Sequence, residues 1–154
     1  MQTSPPVQRA PERLSSGEIA VWRKFLRAHA TVVRQLEADL LGAHSLPLAS
    51  YDVLVQLVEA PEHKLRMTEL ADAVLLSRSG LTRLVDRLER EGLVTREACV
   101  SDARGLFAVL TQAGYDRLRS ATGTHLRGVS ELVVSKLDPE DLAALDRAMD
   151  KLLS

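Results

Sequence analysis

Arg78, Ser79, Thr82, Arg83 and Arg90 bring guanidinium and hydroxyl donors to one side of a helical wheel. With Asp86 they fall within about 140° of arc, and Leu81, Leu84, Val85 and Leu88 occupy about 100° on the other side. Arginine presents a planar fork that matches the two acceptors of a guanine edge, while serine and threonine hydroxyls suit phosphates or the neighbours of thymine. Any solvated amphipathic helix has a polar face, so residue type alone decides nothing. Position adds weight: Arg, Ser and Thr stand in the first turns, where a helix lying in a major groove meets base edges and phosphates. Thr68, Ser77 and Arg87 complete this candidate set. Further on, Asp102 and Arg104 sit in Ser-Asp-Ala-Arg-Gly, a polar hairpin tip. They form a surface ion pair of little consequence, or Arg104 enters a minor groove while Asp102 aims it or braces the hairpin.

A second set is mostly apolar. Trp22, Leu26, Tyr51, Asp52 and Val55 would line a crevice for a small aromatic acid if the segments carrying them meet. Alternatively Trp22 is subunit-interface core and Asp52 a helix-start acid. Cys99 is the single cysteine, which excludes an intramolecular disulfide framework and a cysteine-rich zinc module; it reads as an inert strand thiol rather than a peroxide sensor. His29, His44, His63 and His125 show no metal-ligand spacing, so no metal and no cofactor are expected. Glycine-rich phosphate loops, nucleophile elbows and paired carboxylates are missing too, which argues against an enzyme.

The elements positioning these residues follow from periodicity and punctuation. Residues 1–14 carry three prolines and little hydrophobicity and read as a flexible arm. From Ser15, Ile19, Trp22, Leu26, His29, Val33, Leu36 and Leu40 recur at helical steps, giving a helix of about seven turns that needs a partner along its length. Residues 50–59 read as a second helix, stopped at Ala60-Pro61. Thr68 is expected to cap a short helix through Val74, and Ser77 another over 78–91 closed by Gly92. Gly80 is expected to allow close helix packing. Residues 93–100 and 105–110 form a hairpin. Thr111 caps a long helix weakened by Gly114, Gly123 and Gly128, and Asp138-Pro139 opens the last one. Two short helices followed by a hairpin make a helix-turn-helix with a wing.

Bulk properties agree. The 154 residues suit one compact lobe with an oligomerisation extension, and 45% hydrophobic content supports a core. Aromatics make up only 3%, so further buried area is expected at a subunit interface. The net charge of −1 requires any nucleic-acid surface to be local: residues 77–104 hold six arginines against five acids, and residues 137–154 hold two bases against five acids. No signal-like or membrane-length apolar run occurs, so no membrane association and a cytoplasmic location are expected.

The stretch TELADAVLLSRSGLTRLVDRLEREGLV, the Asp102-Ala103-Arg104 tip and the Leu110-Thr111-Gln112-Ala113-Gly114 helix start resemble the MarR (multiple antibiotic resistance regulator) family of winged-helix regulators. The resemblance extends over nearly the whole chain. It implies a mainly α fold with a small β-hairpin wing, and a homodimer joined by N- and C-terminal helices. In residue terms, 15–46 would be an N-terminal dimerisation helix, 47–110 the DNA-binding lobe and 111–154 the C-terminal dimerisation helices. It also implies a palindromic double-stranded DNA operator and a small-molecule effector held between the dimerisation helices and the lobe. A repressor released by that effector is the expected function. A dimeric winged-helix adaptor for a protein partner is the alternative, and the Arg/Ser/Thr face argues against it because protein-binding faces favour apolar anchors.

Overall fold

The computed structural model describes residues 13–74, 76–100 and 102–154; the side chains of 102–104 lie outside the described part. The expected arm is likewise outside it as far as residue 12. Helix α1 spans Ser16–His44. The Ser15 hydroxyl accepts the Glu18 N–H at 3.2 Å, and the Glu18 carboxylate accepts the Ser15 N–H at 2.7 Å, a reciprocal cap that fixes the start. Helix α2, Leu48–Glu59, begins two residues earlier than expected, because the Glu37 carboxylate on α1 accepts the Leu48 N–H.

Strand β1, Lys64–Arg66, was not foreseen. It runs into α3, Met67–Ala73, whose cap is Arg66 and not Thr68. The Glu69 carboxylate takes the Arg66 N–H at 3.2 Å, so the helix starts one turn-position before the threonine. Helix α4, Arg78–Arg90, starts at Ser77 as expected, with the Ser77 hydroxyl accepting the Gly80 N–H at 3.1 Å. A Cβ on Gly80 would lie 3.1 Å from that hydroxyl oxygen. The glycine therefore makes room for the cap rather than for a second helix. Gly92, at φ +76, turns the chain out of the helix, a left-handed conformation that costs glycine nothing.

Strands β2, Val94–Cys99, and β3, Asp102–Leu110, form the hairpin. The sheet is antiparallel in the order β1-β3-β2, with Arg66 opposite Phe107 and Glu97 opposite Phe107 from the other side. Helix α5, Gln112–Leu132, is unbroken despite its glycines. Gly114 is required: a Cβ there would sit 2.1 Å from the Leu93 carbonyl oxygen. Thr111 seals the same junction, its hydroxyl donating to the Gly92 carbonyl at 2.7 Å. Helix α6, Pro139–Leu153, begins at Asp138 as expected.

Leu54 and Leu57 of α2, Leu70 of α3, Leu81, Val85 and Leu88 of α4, and Val94 and Ala108 of the sheet are wholly buried together with Leu40 and Leu46. Each of the leucine and valine side chains contributes about 1.5–3 kcal/mol on burial. The core thus lies under the two short helices and the sheet, and only the C-terminal part of α1 reaches it. Nothing in α6 is buried. Among the described residues no helix is long and apolar enough to cross a membrane, and no group of three or more His, Cys, Asp or Glu side chains could hold a metal.

Candidate nucleic-acid interface

Leu81, Leu84, Val85 and Leu88 anchor α4 in the core, which leaves Ser77, Arg78, Ser79, Thr82, Arg83, Arg87 and Arg90 exposed. No acid occupies the first turn. The unpaired N–H groups and positive dipole end there favour an anion. Several side chains are already oriented by the helix: the Thr82 hydroxyl donates to the Arg78 carbonyl at 2.8 Å, and Arg83 Nε reaches the Ser79 carbonyl at 3.4 Å. Ser77 uses an acceptor lone pair for its cap, and its hydroxyl lies 3.4 Å from that of Ser79.

Thr68 lies at the start of α3, exposed, and meets Thr82 across a cleft of about 310 Å³ that is also bounded by Arg66, Arg96, Gly105 and Leu106. The recognition-type face of α4, the start of α3 and the base of the hairpin therefore share one side of the molecule. The sequence-based assignments to Asp102 and Arg104 concern side chains outside the described residues.

Two basic features escaped the sequence reading. Lys64 Nζ and Arg66 Cζ stand 5.0 and 5.7 Å from the Phe107 ring centroid, a pairing created by the unforeseen β1. Arg96 crosses from β2 to α4, where Nη2 meets Asp86 Oδ1 at 2.7 Å and donates to the Thr82 carbonyl at 3.3 Å; Nη1 lies 3.6 Å from Glu89. The only signal for it in the sequence was an arginine inside a β-prone run.

The five residues expected to line an effector crevice do not meet within one chain. Tyr51 is buried, its ring 4.4 Å from that of His125 on α5. Val55 packs against the core. Asp52 borders a crevice of about 430 Å³ whose α1 wall runs from Ala30 through Val33 and Arg34 to Glu37. Leu26 and Trp22 stand about one and two turns before that wall and are 45% and 55% exposed. Trp22 instead stacks on Phe25, with centroids 6.0 Å apart. Desolvation raises the Asp52 pKa, partly offset by His125 and reinforced by Glu37. Desolvation lowers that of His125, against the pull of Asp52.

A family model described as the MarR family matches residues 44–105, from the end of α1 into β3. Among solved structures, the chain is similar to a MarR family transcriptional regulator from Streptomyces coelicolor determined in complex with DNA. Identity is 38% and the TM-score 0.88, over 93% of this chain and 90% of that one. AbsC, a MarR family transcriptional regulator from the same organism, is 37% identical with a TM-score of 0.87, over 93% of this chain and 96% of that one. The HTH-type transcriptional repressor YetL of Bacillus subtilis (strain 168) is 31% identical over 99 residues, which span 64% of this chain and 59% of that protein.

Proposed function

This chain belongs to the MarR family of transcriptional regulators, and we propose that it is a homodimeric repressor of a palindromic double-stranded DNA operator, released by a small effector. The observation that carries the DNA-binding part is the face of α4. Four arginines and three hydroxyl side chains stand exposed opposite four buried apolar residues, with an acid-free helix N-terminus among them. Arg78, Ser79, Thr82 and Arg83 in the first turns would read base edges, while Arg87, Arg90, Ser77 and Thr68 would hold phosphates. Arg104 would enter the adjoining minor groove, with Asp102 bracing the wing. Similarity to a regulator solved with DNA supports the same assignment.

The dimer is supported by apolar surface that one chain leaves uncovered. It comprises Trp22, Phe25 and Leu26 on α1 and Leu142, Leu145 and Leu152 on α6. In such a dimer Trp22 and Leu26 would belong to the interface or, from the partner, to the effector crevice beside Asp52, Tyr51 and Val55. The test is selection of duplexes from a random library at two salt concentrations. The expected product is an inverted repeat with half-sites about 34–36 Å apart, bound with a steep salt dependence. Uniform weak binding without enrichment would remove the operator assignment.

A further inference from the structure

We propose that Arg96 is a positioning residue that locks the wing to the recognition helix and so sets how well the protein discriminates between DNA sequences. The proposal rests on the DNA-binding reading above. The Arg96 side chain is only 19% exposed, whereas those of Asp86 and Glu89 are 48% and 44% exposed. A cation drawn that far out of water needs partners, and among the described residues those it finds lie on α4: the carbonyl of Thr82 and the carboxylates of Asp86 and Glu89. These positions form one stripe at helical spacing, so a single β2 side chain stitches the hairpin along nearly two turns of helix. One anchor is the backbone of Thr82, itself on the DNA-facing side. The planar fork of arginine makes several such contacts at once, which a lysine ammonium cannot reproduce.

Arg96 also neutralises two carboxylates that flank Arg83 and Arg90, and this second effect must be separated from positioning. Arg96→Met removes both the stitch and the neutralisation. The triple variant Asp86→Asn, Glu89→Gln, Arg96→Met removes the stitch while leaving the helix less acidic than the parent. Affinities for the selected operator and for a random duplex are measured for each at one salt concentration, with melting to verify folding. Positioning requires the triple variant to bind random duplex within about threefold of the parent, or better. Its preference for the operator should nevertheless fall about tenfold or more.

Parental preference in the triple variant overturns the proposal, since neutralisation would then be all that Arg96 supplies. A loss shared equally by both duplexes in Arg96→Met, with a salt slope lower by about one, also overturns it by making Arg96 a phosphate contact. If the triple variant does not fold, Asp86→Asn with Glu89→Gln, which leaves Arg96 in place with its carboxylate partners gone, must show the same loss of preference. Hydrogen exchange without DNA gives the independent readout. Wing amides of β2 and β3 must exchange faster in Arg96→Met than in the parent, and unchanged exchange defeats the proposal. If the parent selects no sequence, the DNA-binding reading fails, and exchange alone decides whether Arg96 holds the wing.

Discussion

His125 sits where α1, α2 and α5 come together. Its ring lies against Tyr51, its Nδ1 is buried without a hydrogen-bond partner, and Asp52, itself beside Glu37, supplies the nearby negative charge. Burial disfavours the imidazolium, so the folded chain holds His125 below its ordinary pKa of 6.5. As pH falls through that value the unfolded chain binds a proton that the folded chain refuses, and stability is lost. Asp52 works the other way: its pKa is raised above 3.8, so the folded chain takes up that proton first, and stability is gained on acidification through the Asp52 window. The two windows approach each other from opposite sides. The melting temperature should therefore decline just below pH 6.5 in the parent, and this limb should flatten in His125→Gln. An identical decline in that variant would place the sensitive group elsewhere. Because α1 leads toward the proposed dimer helices and α2 into the DNA-binding lobe, a charge at this junction would strain the contact between them.

At the scale of elements, the Ser77 cap separates stability from recognition. Ser77→Ala should cost about 1 kcal/mol in urea unfolding, the usual value of a lost N-cap. Ser77→Asp should restore that stability, because an acid suits a helix N-terminus, while weakening DNA binding by setting a carboxylate against phosphate. Equal operator affinity for Ser77→Asp and the parent would mean that the first turn of α4 does not face DNA. The caps at Ser77, Thr111 and Asp138, and the left-handed turn at Gly92, were legible in the sequence because each is decided by a handful of adjacent residues. Strand β1 was not: three residues gain strand character only by pairing with β3, more than forty positions later. The error at Thr68 has the same origin, since that strand delivers extended chain as far as Arg66 and lets Glu69 close the cap there. On α4 the apolar and polar faces could be read from spacing, whereas the partners that Arg96 finds depend on how the hairpin folds back. The amphipathic stripe of α1 was legible as well, but spacing says nothing about what covers Trp22 and Leu26.

For the whole molecule, the decisive asymmetry is between a lobe with a closed core and helices without one. Helix α6 carries Leu142, Leu145, Met149 and Leu152 on one side and Glu140, Asp141, Asp146 and Asp150 along the rest, yet buries none of them. Leu142 and Leu145 are each 40% exposed and border an apolar hollow on this helix. If the chain worked alone, Leu142→Glu with Leu145→Glu would be a change at a solvated surface and worth little, within about 0.5 kcal/mol. In a dimer the same pair would place two carboxylates per chain in an apolar interface, where unpaired charge is costly. Sedimentation at micromolar concentration should then show the parent as a dimer and the double variant as a monomer, with the lobe still folded by circular dichroism. Operator binding should fall with it, because a palindrome gains its affinity from two half-sites engaged at once, an advantage of about a hundredfold or more. A single half-site should be bound equally by both proteins. A double variant that remains dimeric would shift the interface to Trp22, Phe25 and Leu26 on α1. A parent that is monomeric at concentrations where it still selects an inverted repeat would instead make DNA itself the agent that brings two copies together.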